Sequence, residues 1–305
     1  MTRRIGLVTY DPSSRDVHSD PEIDQLVQAL RHDGLDAEAV VWSTENDWTA
    51  YDMLILKSPW DYSMRAEEFV AWLDATAAHV PILNHPWIIR WNIDKRYLWD
   101  LQAEGVRTPA FVTPASMDEA QQVLRGIDSH RVVVKPTVSA GSRNTGLFNR
   151  EDPAALRLVG HILRQGKVPM VMPALPDVAQ NGERSLVVFD GRYSHAAHKA
   201  TILAEGGGYV GGEYAEVITA ATPLDDEIDV AERCIQVVRQ RAASAGLSRA
   251  SAAPLYARVD IARDADGQPS VLELELFEPN YFTATVPSAV ANFVSAVERA
   301  LGRLG

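Results

Sequence analysis

The chain has 305 residues, 29 Lys plus Arg against 41 Asp plus Glu, and a net charge of −12. A chain this acidic gains nothing from releasing counterions from a phosphate backbone, which excludes nucleic acid as an expected partner. No basic amphipathic anchor, no run near the ~18 apolar residues of a membrane span and no signal-peptide pattern is present, so neither membrane nor export is expected, and the expected compartment is the cytoplasm.

Residues 4–10 predict a strand, and 21–32 a helix started by Asp20 with Pro21 at its first position. Short strands over 37–42 and 53–57 and a helix over 66–78 complete an alternation that predicts a small parallel α/β unit, domain 1–90. Ligands in such sheets bind beyond the carboxyl ends of the strands. Two loops leave those ends: Asp11-Pro12-Ser13-Ser14-Arg15 and Ser58-Pro59-Trp60-Asp61-Tyr62. Plain surface turns are an equally good reading of both.

The next stretch predicts a helix over 94–104 ended by Gly105, a helix over 116–125, a strand over 131–134 and a helix over 152–164. Asp152 caps this last helix, with Pro153 at its first position. A strand over 168–172 runs into a connector, 173–176. Strands over 183–190 and 193–199 flank Asp190-Gly191, a two-residue hairpin signal. The glycine-rich stretch 205–212 predicts a mobile loop. The helix over 225–245 carries the only cysteine, Cys234, which reads as a small buried hydrophobe. A second hairpin, 256–263 with 268–277, and a helix over 287–301 end the chain.

That second hairpin carries the strongest chemical signal. If Asp266-Gly267 is a two-residue turn, Asp260 faces Glu273 and Arg258 faces Glu275. Directly opposed residues share a face with those two positions along, so one arginine and three carboxylates crowd one patch. Opposed carboxylates repel unless a cation joins them, and Mg2+ takes a few carboxylates together with phosphate oxygens. Arginine suits a phosphate bidentately. A one-residue slip of register would dissolve the patch. Asn280, just beyond, reads either as a further oxygen ligand or as a turn residue.

Lys135 ends the strand Val132-Val133-Val134 beside a small-residue loop that includes Ser139, Gly141 and Ser142. Backbone amides of such a loop can approach phosphates, although a plain surface loop fits equally, and no Walker A pattern follows. Lys95 reads as a cation in a helix's first turn, a place suited to a phosphate or to bulk water. His195 and His198 are three apart on a strand and point to opposite faces, so they are no metal pair.

In this order the segments Asn92-x-Asp94-Lys95, Val-Val-Val-Lys135-Pro136 with its loop, Gly182-Glu183-Arg184 and Arg258-x-Asp260 with Glu273-x-Glu275 resemble the ATP-grasp ligases. Lys-Ser-Pro-Trp-Asp-Tyr, Asn-His-Pro and Leu-Glu-Leu-Glu-Leu-Phe-Glu-Pro are similar to the glutathione-synthetase-like group, which includes a ligase closing O-ureidoserine to cycloserine. Glu275 stands where many relatives carry Asn.

The resemblance implies mixed α/β and α+β architecture, with the domain 1–90 followed by ATP-clamping subdomains 91–176 and 177–305. It implies ATP and Mg2+ as cofactors, with Lys95, Lys135, Ser139, Gly141, Ser142, Met172, Ala174 and Asp177 around the nucleotide. Asp260, Glu273 and Glu275 would hold the metal, and Arg258 would act at the terminal phosphate. Ser58, Trp60, Asp61, Arg184, His198 and Lys199 would meet a small amino-acid-like substrate. The implied reaction joins a carboxylate to an amine through an acylphosphate. Intramolecular ring closure and a catalytically silent nucleotide-binding module stay open, as does a homodimer.

Overall fold

The computed structural model describes residues 2–13, 19–200, 208–209 and 217–304. Strand β1 (Arg4–Thr9), helix α1 (Ile23–His32), strands β2 (Asp36–Val41) and β3 (Met53–Ser58), helix α2 (Ala66–Ala77) and strand β4 (Ile82–Leu83) build a parallel sheet of order β2-β1-β3-β4. β1 and β3 are buried almost throughout, as near-continuous apolar runs must be in a sheet covered on both faces. Helix α1 buries Ile23, Leu26, Val27 and Leu30, one stripe at helical spacing. It begins two residues later than the sequence suggests, because the Asp20 carboxylate accepts the Glu22 N–H at 2.8 Å and Glu22 becomes the cap position.

Strand order reverses direction beside β1, leaving a crevice at the carboxyl ends of β1 and β3. Tyr10 donates its N–H to the Ser58 carbonyl at 2.9 Å, and the Trp60 ring stacks on Tyr10 at 5.9 Å.

The helix expected over 94–104 is shorter, α4 (Tyr97–Ala103), and a further helix, α3 (Pro86–Asn92), precedes it where no helix is expected. His85 accepts the Trp87 N–H and Pro86 takes the first position, so α3 is capped by residues that read as a loop. Lys95 consequently lies in the turn between two helices and not in a helix's first turn.

Helix α5 (Met117–Gly126), strands β5 (Arg131–Pro136) and β6 (Thr145–Asn149), helix α6 (Pro153–Arg164) and strand β7 (Pro169–Pro173) follow. Asp152 caps α6 through the Ala154 N–H at 2.8 Å, as its sequence predicts. The small-residue loop is the turn between β5 and β6, and the expected connector runs into a short helix, α7 (Pro176–Asn181).

The rest is β8 (Glu183–Phe189), β9 (Arg192–Lys199), β10 (Gly208–Tyr209), β11 (Ile218–Ala221), α8 (Asp225–Ser244), β12 (Tyr256–Arg263), β13 (Pro269–Glu275) and α9 (Ala289–Leu304). Two antiparallel sheets result, β10-β6-β5-β7 and β11-β9-β8-β12-β13. Apart from residues 208–209, the glycine-rich stretch 205–212 lies outside the described residues, as do Ser14 and Arg15.

Between β8 and β9, Asp190 and Gly191 both have positive φ, 53° and 73°, with Phe189 opposite Arg192, so the dipeptide forms the expected two-residue turn. Between β12 and β13 the loop holds three residues, because Asp264 pairs with Gln268 and Gly267 alone has positive φ. A bulge at Asp260/Ile261, opposite Leu272, restores the count. Asp260 therefore still faces Glu273, and Arg258 still faces Glu275.

One apolar core runs from the parallel sheet into the five-stranded sheet, joining Ile5, Leu26 and Ile55 to Val187, Tyr256 and Phe293. Asn84 ties the two at full burial: its amide donates to the Tyr256 carbonyl at 2.9 Å and its oxygen accepts the Leu255 N–H at 2.6 Å. A second core under β12 and β13 contains Cys234, with no exposed surface.

Candidate active site

Register places the chemistry on one face of the five-stranded sheet. Lys199 faces Glu183, Ser185 faces Asp260, Asp260 faces Glu273, and Arg258 faces Glu275. Side-chain alternation puts all of these on the same side. Arg258 donates to both Asp260 oxygens at 2.9 Å and also pairs with Glu275. Lys199 Nζ is 2.7 Å from Asp260 Oδ2 and 2.7 Å from Glu183 Oε2. Lys95 Nζ lies 3.1 Å from Glu273 Oε1 and donates to the Ser139 carbonyl at 2.9 Å. It thereby bridges the acidic face to the β5–β6 loop. The Lys95 N–H further pins that loop at the Thr137 carbonyl, at 2.8 Å.

The charges set one another. Burial pushes the Asp260 carboxyl up, but Arg258 and Lys199 outweigh it and hold it below the usual carboxylate range. Burial acts likewise on Glu273, where Lys95 and Lys135 prevail and the pKa falls. Glu275 rises because burial exceeds the pull of Arg258, and Glu278 rises further through burial and the charge of Glu275. Lys135 falls through burial, opposed by Glu273. Two carboxylates thus stay ionised among Arg258, Lys199, Lys95 and Lys135, which is how a phosphate and cation site should be poised.

Among the described residues, no three acidic, His or Cys groups already converge on one point. Asp260, Glu273 and Glu275 have each turned toward a lysine or an arginine. The donor set still fits Mg2+, a hard cation that takes oxygen ligands. Asn280 Oδ1 and Ser185 Oγ, both beside this face, are buried with no hydrogen-bond partner, a costly state that an ion or its waters would relieve.

Not every expected residue joins the patch. Arg184 and His198 face each other on the opposite side of the sheet. Arg184 pairs there with Glu227 of α8 at 3.3 Å, and His198 meets the Asn181 carbonyl. Alternation from Glu183 and Lys199 requires that placement, so neither residue lines the acidic face. Ser58 and Asp61 are fully buried, spent on Thr9 Oγ1 at 2.9 Å and Trp42 Nε1 at 2.6 Å. Trp60 donates to the Glu278 carbonyl at 2.9 Å. The Ala174 N–H is committed to the Arg131 carbonyl, and Asp177 accepts the Arg263 N–H at 2.9 Å. Met172 lies buried on β7, opposite Val133 of β5. Gly141 and Ser142 sit at positive φ at the loop tip.

Glu183, Ser185 and Glu278 were missed as members of the site. Period-two spacing from Lys199 and Asp260 would have found the first two, since the β8–β9 turn was readable.

Residues 5–84 match the family described as D-cycloserine synthetase DcsG, N-terminal domain. The cycloserine biosynthesis protein DcsG of Streptomyces lavendulae is 32% identical over 313 residues, covering 97% of this chain and 99% of that protein. The crystal structure of D-cycloserine synthetase DcsG superposes with a TM-score of 0.85 at 29% identity, covering 99% of this chain and 100% of that one. D-alanine–D-alanine ligase from Bacillus anthracis complexed with ATP shares the fold at a TM-score of 0.62 and 15% identity, covering 99% and 98% of the two chains. The chain belongs to the DcsG family and is an ADP-forming ligase of the ATP-grasp type.

Proposed function

We propose that the enzyme forms a C–N bond on a small amino-acid-like substrate through an acylphosphate. The observation that carries this reading is the register of β12 and β13, which gathers Arg258, Asp260, Glu273 and Glu275 beneath Lys95 and the β5–β6 loop. In this reading the two antiparallel sheets clamp ATP, with the chain divided at residues 90 and 176. Lys95 and Lys135 bind the phosphates under the loop of Ser139, Gly141 and Ser142. Met172, the Ala174 carbonyl and Asp177 lie toward the base and ribose. Asp260, Glu273, Glu275 and Asn280 would hold Mg2+, which when bound would neutralise phosphate charge and polarise the phosphoryl oxygens.

Arg258 steadies the γ-phosphoryl group as a substrate carboxylate oxygen attacks its phosphorus and the bond to the β–γ bridging oxygen breaks, releasing ADP. The amine nitrogen then attacks the acyl carbon, the carbon–oxygen bond to phosphate breaks, and the departing phosphate takes the proton. Lys199, beside Asp260, is placed to meet the substrate carboxylate. No protein nucleophile is required, and the residues act by orienting and by neutralising charge.

ADP release in a screen of amino acids and their ureido and aminooxy analogues tests the reading. Release that depends on one of these compounds is the expected result. Mg2+-ATP binding without release on any carboxylate would leave a silent nucleotide-binding module instead. Ring closure within one molecule is the second reading, favoured by 32% identity over 97% of the chain to a cycloserine biosynthesis protein. ADP release that needs a single compound and yields a cyclic product no heavier than it, and not a dimer of it, separates ring closure from a two-substrate ligase.

A further inference from the structure

Lys57 directly follows the apolar run of β3, residues 53–56, and has no exposed surface. A buried ammonium persists only if it is paired and hydrogen-bonded. Its Nζ is 3.1 Å from Asp20 Oδ2, 3.1 Å from Glu22 Oε2 and 3.3 Å from the Pro279 carbonyl, which accepts from it. It also lies 4.9 Å from the centre of the Tyr281 ring. Glu22 in turn accepts the N–H groups of Tyr281 and Thr283, each at 2.8 Å. Nearby, Trp60 Nε1 donates to the Glu278 carbonyl and the Tyr62 hydroxyl donates to the Glu278 carboxylate.

Residues 278–283 thus form a strap gripped along its length by the carboxyl-end loops of the parallel sheet. The strap carries Asn280, whose Oδ1 has no partner and whose carbonyl accepts from Arg258 Nη1 at 3.4 Å. It also carries Phe282, a bulky residue in the left-handed region at φ 53°, with its ring 5.2 Å from the Arg258 guanidinium carbon. A bulky side chain in that region is strained and persists only when its surroundings enforce it.

We infer that Lys57 and Glu22 are positioning residues that fix the strap 278–283, so that Asn280 and Phe282 complete the phosphate and cation face around Arg258 and Asp260. This inference rests on the ligase reading above. It makes the parallel sheet part of the cation site, through residues more than two hundred positions away from it in sequence.

The test compares Lys57→Met and Glu22→Gln with the parent enzyme. Glu22→Gln keeps Lys57 paired with Asp20, so it remains informative if Lys57→Met folds poorly. In both variants the Tyr281 and Thr283 amides should exchange with deuterium on the order of tenfold faster. The half-saturating Mg2+ concentration for ADP release should rise about fivefold and kcat should fall about tenfold, while KM for ATP at saturating Mg2+ moves less than about twofold. A merely structural role would lower thermal stability without moving the Mg2+ dependence. Unchanged amide protection overturns the inference, and so does an unchanged Mg2+ dependence in a variant whose amides have been released. If the parent enzyme releases no ADP with any carboxylate, the ligase reading fails. Calorimetric titration of Mg2+ into the ATP-saturated enzyme then decides the positioning role: weaker Mg2+ binding in both variants supports it, and equal binding sinks it.

Discussion

Two hairpins in this enzyme carry the same Asp-Gly dipeptide and close differently. Asp190-Gly191 makes a two-residue turn, both residues at positive φ, and the Asp190 carboxylate is fastened by Arg299 and Arg303 of α9 at 2.7 and 2.8 Å. Asp266-Gly267 lies within a three-residue loop in which only Gly267 has positive φ, and Asp266 is 80% exposed. The extra loop residue would slide every carboxylate of β13 to the other face if nothing compensated. The bulge at Asp260 and Ile261 compensates, and it sits next to the acidic patch, where bulges commonly re-aim functional side chains. A local dipeptide sets the direction of a turn, and tertiary packing sets how many residues it spans.

The largest effect expected from this contrast is chemical. Asp260→Asn and Glu273→Gln in the second hairpin should each lower Mg2+-dependent ADP release by about 10²-fold or more, with the fold retained by circular dichroism. Normal turnover in both variants would remove the metal face. A smaller effect separates close approach from backbone strain. Gly182, just ahead of the first hairpin, has φ 67°, and an added Cβ would lie 2.1 Å from the Lys199 carbonyl. Gly267 has φ 73° with nothing within 4 Å. Gly182→Ala should therefore cost about 3 kcal/mol and impair turnover through Lys199, against about 1 kcal/mol for Gly267→Ala, read by urea unfolding. Equal costs would mean that the close approach does not matter.

The smallest effect depends on pH. Burial pushes the Asp190 carboxyl up, but Arg299 and Arg303 outweigh it and hold its folded pKa below the ordinary value. The unfolded chain takes up the proton first, so this contribution is complete above about pH 4 and is lost as pH falls through the folded pKa. Asp190→Asn should cost about 1 kcal/mol at pH 7, and the gap should close toward pH 3 in urea titrations. A gap constant with pH would mean that shape alone holds the turn.

Much of the site was legible because its determinants are local. The Asp260–Glu273 pair follows from two strands and a turn, and the cap of α6 follows from Asp152 and Pro153. The pairing survived a wrong loop length only because loop and bulge each add one residue. Short elements escaped: α3 and α7 have too few residues to show a period, and the five residues of β6 follow directly on a loop. The placement of Arg184 on the wrong face was avoidable, since Glu183 and Lys199 already fix the alternation. The grip of Lys57 and Glu22 on residues 278–283 was not readable, because it joins chain segments with no local pattern in common. Its one trace was a lysine directly after the run Met-Leu-Ile-Leu, where an unpaired charge could not stay buried.

Cys234 has a practical consequence. It is the chain's single cysteine, fully enclosed, and burial pushes its thiol up to about 12. Maleimides and thiol-directed spin labels are attacked by the thiolate, which this residue does not offer at neutral pH. A cysteine introduced at an exposed position such as Leu224, 54% exposed at the start of α8, becomes the sole reactive handle without any need to remove the native one. Fluorophores can therefore be attached one position at a time while the native cysteine stays in place, and nucleotide binding can be followed optically.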